Sequence, residues 1–161
     1  MHFVPEATVY IAEPLEWSFG VDFARYRIAQ PSPVALAPTG ARTESANAVV
    51  TTLRYHSRWD SGTETQQEVN ASYGVRSGTK VLESDRVYTK QQGDVQYKLK
   101  HGHNEVKVGF VAGHIAGSAP MYERFILGNA ETLRGWNKYD LDPLGASNAI
   151  HGSIDTATTR S

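Results

Sequence analysis

Apolar and polar residues alternate with a period of two along much of this chain. In Val69-Asn70-Ala71-Ser72-Tyr73-Gly74-Val75-Arg76 the odd positions are apolar and the even ones polar or small, as a strand with one apolar and one wet face requires. Asp94-Val95-Gln96-Tyr97-Lys98-Leu99-Lys100 alternates in the same way. After the turn residues His101-Gly102-His103-Asn104, the rhythm resumes in Glu105-Val106-Lys107-Val108-Gly109-Phe110, which together predict a hairpin. Upstream, Trp17, Phe19, Val21 and Phe23 oppose Ser18, Gly20, Asp22 and Ala24, and Val49, Thr51, Leu53 and Tyr55 oppose Thr52, Arg54, His56 and Arg58. No segment carries a helical period of comparable quality. The pattern predicts strands over residues 6–13, 15–28, 46–59, 65–77, 86–100 and 104–116, with another starting after Ile150. Between the second and third, Gln30 to Gly40 reads as a surface loop, because Pro31, Pro33 and Pro38 supply no ladder donor.

Several of these strands reach the roughly 9–11 residues that a tilted strand needs to cross a bilayer. Alternation alone fits a soluble sandwich, whose apolar faces meet each other, and an outer-membrane barrel, whose apolar face meets lipid. The charged polar face (Arg54, Arg58, Lys98, Lys100, Glu105 and Lys107) suits a watery lumen and a sandwich exterior equally. Long strands and the placement of Trp17, Tyr55 and Trp59 near strand ends favour a barrel with aromatic girdles.

Composition narrows the function classes. The 161 residues hold 16 Lys and Arg against 17 Asp and Glu, a formal charge of −1, so no single-sign field is available to grip nucleic acid. The absence of Cys removes disulfides, thiolate metal sites and cysteine nucleophiles together. His101 and His103 could ligate a metal as an i, i+2 pair, but they fall on a hairpin turn, and His56 and His114 are expected on wet positions of their strands with no convergent carboxylates nearby in sequence. Glu131, Asp140 and Asp142 could supply acid and base, and Ser118 or Ser147 a nucleophile, yet no GxSxG elbow accompanies them. The expectation is no enzyme, no metal and no cofactor. Gly109, Gly113 and Gly117, four apart within a strand, are expected to thin the wall where a loop packs.

The C-terminal third carries the most specific motif. Glu123-Arg124-Phe125, Leu127-Gly128 and the tetrad Leu133-Arg134-Gly135-Trp136 resemble the bacterial surface antigen family, the C-terminal barrel domain of the outer-membrane protein assembly and translocation superfamily. The resemblance is strongest over residues 104–147. It implies an all-β, antiparallel meander forming part of a transmembrane β-barrel in the bacterial outer membrane. It also implies that a loop around residues 128–149 folds into the lumen, with Leu133, Arg134, Gly135 and Trp136 bracing it and Glu123, Arg124, Phe125, Leu127 and Gly128 in support. Gly135 would permit a tight backbone path, Arg134 a planar fork of donors, and Trp136 a packing surface. A buried arginine needs a carboxylate, which the family supplies from strands after the loop.

Residues 1–161 are thus expected to be a partial barrel, a fragment with about 6–7 of the 16 strands such barrels hold, since closure needs at least about eight. The implied function is outer-membrane protein assembly and insertion or polypeptide translocation. The implied partners are outer-membrane lipid and client polypeptides or outer-membrane proteins, with no nucleic acid. Two other readings stand beside it: a barrel that anchors a lipid-hydrolase domain, and a soluble all-β binding module.

Overall fold

The computed structural model describes residues 2–29, 41–62, 64–125 and 145–158. They form one antiparallel sheet from β1 (His2–Phe3), β2 (Glu6–Ala12), β3 (Leu15–Ala29), β4 (Ala41–Ser45), β5 (Ala48–Ser61), β6 (Thr65–Gly78), β7 (Tyr88–His101), β8 (Asn104–Gly117) and β9 (Asn148–Thr158). Two pairs of segments are single strands with an interruption. His2↔Ala24 and Glu6↔Gly20 share one register against β3, and the Pro5 carbonyl still accepts from Val21 N at 3.1 Å. The break falls at Pro5, which has no N–H to donate. Likewise β4 and β5 hold one register against β3, bridged by Ala46 N donating to the Ala24 carbonyl at 2.8 Å. The sheet is therefore a meander of long strands, each paired with its neighbours in sequence, and among the described residues it does not close.

Strands β5 to β8 have 14 residues each, about 46 Å of extended chain, enough to cross a tilted bilayer path and project beyond it. Tight turns join β2 to β3, β5 to β6 and β7 to β8 at one end. The connection 79–87, and the described ends of the one that leaves β8 and returns to β9 (residues 118–125 and 145–147), lie at the other end. In outer-membrane barrels the short turns are periplasmic and the long loops extracellular.

The register sorts the side chains onto two faces. One row reads Val9, Trp17, Leu53, Tyr73, Gly93, Ala112 and Ile150, each the direct partner of the next. This face is apolar but uncovered: Trp17 is 43% exposed and Phe110 51%. A soluble sandwich would lay a second sheet over it, and the described residues form only the one. Polar groups on this face pair with one another, as contact with hydrocarbon demands. Trp17 Nε1 donates to Thr51 Oγ1 at 2.7 Å, Tyr73 Oη to Gln91 Oε1 at 2.9 Å and Tyr97 Oη to Gln67 Oε1 at 2.8 Å.

The predicted strands agree with the observed ones to within two or three residues, with three differences. The segment β4 was not expected, because Ala-Arg-Thr-Glu-Ser carries no apolar alternation. Asn148 and Ala149 belong to β9 and pair with His114 and Gly113, so the connection expected to run to 149 ends sooner. His114 shares the face of Phe110 and Ala112 and sits beyond them toward the long-connection end, where Nδ1 lies 2.6 Å from Asn148 Oδ1. The predicted loop at Gln30–Gly40 lies outside the described residues.

Candidate functional site: a clamp on the inner wall

Burial concentrates on the inner face at the long-connection end, where Tyr88, Ile115 and Ala119 form a small core with Phe125 packed against it. On this face Arg76 of β6 and Lys90 of β7 are direct register partners. Two like charges so placed repel unless an anion stands between them. The connection after β8 brings that anion. It leaves Gly117, passes Pro120, and turns through the 3-10 segment Met121–Glu123. Glu123, 9% exposed, sets Oε1 3.0 Å from Arg76 Nε and Oε2 3.8 Å from Lys90 Nζ, and its carbonyl accepts from Lys90 Nζ at 2.8 Å.

The guanidinium of Arg76 is used on every side. Its Nε also donates to Tyr88 Oη at 3.0 Å, Nη2 donates to the Ala46 carbonyl at 3.2 Å, and Nη1 pairs with Asp22 Oδ2. Asp22 is 4% exposed, so Arg76 neutralises a carboxylate on β3 as well as one on the connection. Two short charges on two elements converge on one planar fork, a geometry that arginine meets and lysine does not. His2 Nε2 stands 2.8 Å from Asp22 Oδ1 without hydrogen-bond alignment, which leaves that oxygen with no aligned donor.

Two inner-wall glycines make room for rings. Gly78 lies under Tyr88, and Gly113 under Phe125, whose ring atoms occupy the place a Cβ would take. Lys90 Nζ lies 5.0 Å from the Phe125 ring centroid, a cation–π contact. Phe125 then makes a two-bond bridge to Ala146: Phe125 N donates to the Ala146 carbonyl at 3.0 Å, and Ala146 N to the Phe125 carbonyl at 2.8 Å. Next to it Gly145 has φ +72° and lies against Arg124 Cβ, so a side chain there meets both strain and a clash. The outgoing and returning chain are thus tied together at a neck on the inner wall.

The other connections brace the neck. Arg86 Nε lies 2.5 Å from Glu44 Oε1, Ser45 N donates to Asp85 Oδ2 at 2.7 Å, and Ser118 N donates to the Val87 carbonyl at 2.8 Å. Tyr122 stacks on Tyr26 with centroids 4.1 Å apart. Burial, with the charge of Glu44 adding, raises its hydroxyl above the ordinary tyrosine value.

Of the residues singled out in the sequence, Glu123 and Phe125 meet at this clamp, and Arg124 packs beside Gly145. Leu127, Gly128, Leu133, Arg134, Gly135 and Trp136 lie outside the described residues. Of the three glycines, Gly113 thins the wall as expected, whereas Gly117 ends β8 at φ +89° and Gly109 faces Ser153 of β9. Asp22, Arg76, Tyr88 and Lys90 escaped sequence reasoning, though each occupies a polar-face position near the long connections. His101 Nδ1 lies 2.7 Å from Thr65 Oγ1 across the hairpin, and no group of three or more metal-ligating side chains occurs among the described residues.

No curated protein and no solved structure matches the chain. Residues 16–159, which span β3 through β9 and the clamp, match the Omp85 superfamily domain. With its long-stranded open meander, its uncovered apolar face and its inward neck, this chain belongs to the Omp85 superfamily, as part of one of its barrels.

Proposed function

We propose that this chain forms part of the wall of a surface-antigen-type barrel in the bacterial outer membrane that helps client polypeptides insert into or cross that membrane. The superfamily as a whole supports an assembly and translocation role. The observation that carries the reading is the neck: Phe125 and Ala146 are bridged on the inner wall, and Glu123 is seated between Arg76 and Lys90. Such a clamp holds a connection inside the barrel, where Leu133, Arg134, Gly135 and Trp136 would brace it. The mechanism is mechanical and takes no cofactor or catalytic residue from this chain. Client strands pair with a free sheet edge, whose unpaired N–H and C=O groups offer a template, and the braced connection keeps the wall in shape while the edge is open.

The test uses the complete barrel reconstituted into vesicles, with a urea-unfolded client barrel added and its folding followed by the gel shift of the heat-modifiable band. The protein should speed client folding over empty vesicles. Glu123→Gln, which removes the anion between Arg76 and Lys90, should slow it while the barrel itself still migrates as folded. No acceleration by the unmodified protein would overturn the assembly role.

A further inference from the structure

The outward face carries a concavity of about 370 Å³ whose lining is almost wholly apolar. Ala71, Gly93 and Ala112 form its floor, and Tyr55, Tyr73 and Phe110 stand around it. The Tyr73 ring leans over the floor, with its edge 3.6 Å from the place a Cβ on Gly93 would take. A longer side chain at position 93 would therefore project into the hollow.

The direction of this hollow follows from the apolar belt. The last apolar residue of the belt toward the long-connection end is Phe23 on β3, Val49 on β5, Val75 on β6, Gly93 on β7, Ala112 on β8 and Ile150 on β9. That boundary falls by three register rows over the five strand steps from β3 to β9, about 20 Å along the strands against about 24 Å across them. The slope is about 40°, the tilt of strands in a membrane barrel, so the membrane normal runs obliquely across the register. Ala71 on β6, Gly93 on β7 and His114 on β8 are each one strand and one row apart, which sets them along that normal. The hollow thus stands upright in the wall and ends below His114.

The head of the slot is polar and uncharged. Gln91 and His114 are direct register partners there. Gln91 Oε1 accepts from Tyr73 Oη at 2.9 Å, and His114 Nδ1 lies 2.6 Å from Asn148 Oδ1. An amide oxygen only accepts, so Nδ1 carries the proton and Nε2 is left as an acceptor on an exposed ring. Long connections put this end in the outer leaflet.

We propose that the slot is a binding site for a phospholipid of the outer leaflet that carries a primary-ammonium headgroup. One acyl chain lies over Ala71 and Gly93 between Tyr73 and Phe110, and the ammonium donates to His114 Nε2. The inference rests on the outer-membrane reading given above. The slot is continuous with the lipid-facing belt and parallel to the membrane normal, as a lipid chain is. Its uncharged head offers an anionic headgroup no cation, and its free acceptor distinguishes an ammonium, which donates, from a trimethylammonium, which has no N–H.

The experiment uses the complete protein in a background free of cysteine. A bimane label is carried by Ile150→Cys, the partner of Ala112 just outside the lining, or by Val49→Cys, the matching boundary position on β5. The bilayers are phosphatidylcholine doped with phosphatidylethanolamine or phosphatidylcholine bearing a nitroxide on the acyl chain. At position 150 the ethanolamine lipid should quench with about fivefold higher apparent affinity than the choline lipid, the preference one hydrogen bond supplies. His114→Phe, which keeps a ring and removes the acceptor, should abolish that preference. Gly93→Leu, which fills the slot, should weaken quenching at 150 by both lipids, while quenching at 49 stays the same for both lipids and all variants. Equal quenching at 150 by the two lipids, a preference that survives His114→Phe, or quenching unmoved by Gly93→Leu overturns the lipid site and leaves the membrane reading standing. Absence of quenching at 49 overturns both.

Discussion

At the scale of single residues, Arg76 decides how the inner wall is held. Its side chain reaches both Asp22, on the strand two places along the sheet, and Glu123, on the connection beyond β8. Removing one partner of such a buried set exposes the others to an unbalanced charge, which costs more than the pair itself contributes. Tyr122 presents the opposite case, a buried hydroxyl without a hydrogen-bond partner. The variant Tyr122→Phe is predicted to be more stable by about 1–2 kcal/mol, the cost of an unsatisfied buried polar group. The gap should widen in alkali. Because burial raises the folded hydroxyl above 10.0, the stability contributed by the neutral phenol is complete below pH 10.0 and falls as the pH climbs toward the folded value, since the unfolded chain ionises first. Urea unfolding in vesicles, run at neutral pH and above pH 10.0, measures both effects. A variant that is less stable at neutral pH, or whose advantage stays constant, would contradict this account.

At the scale of elements, the two faces of each strand live in different solvents. Neighbours on one strand should therefore respond differently to the same substitution. Leu53 lies near mid-height on the outward face and Thr52 on the inner face beside Gly74. Leu53→Arg should cost about 2–4 kcal/mol, the range for arginine on a lipid-facing wall near the midplane, whereas Thr52→Arg should cost less than about 1 kcal/mol. Equal costs would mean that both faces meet water. This same division made the strands legible in the sequence. Where one face must be apolar over ten or more residues, the period of two is unmistakable, and β3 and β5 to β8 follow it closely. Where the strand leaves the bilayer the constraint lapses, and β4, with Arg42, Thr43, Glu44 and Ser45 in succession, gives no alternation to read.

At the scale of the whole molecule, the clamp was partly hidden for a different reason. Glu123 and Phe125 stand within a recognisable motif, but Asp22 and Arg76 are 54 positions apart. They meet only because β3, β5 and β6 stack in one register, so the pairing follows from topology and from no local pattern. Gly113 was legible as a thin place in the wall, yet which ring fills it depends on the path of the connection. The apolar face, by contrast, is a property of the entire sheet and follows from the alternation of every strand together.

The central claim is that this sheet is a wall between lipid and lumen, and β8 tests it most directly. Single cysteines placed from Glu105 to Ile115 can be treated in intact outer membranes with a membrane-impermeant maleimide, since the chain contains no cysteine of its own. The inner positions 105, 107, 109 and 111 should label, and the outward positions 106, 108, 110 and 112 should stay protected, giving a period of two along the strand. Labelling of Val106, Val108, Phe110 and Ala112 as readily as their inner neighbours would contradict the account, because the apolar face would then meet water.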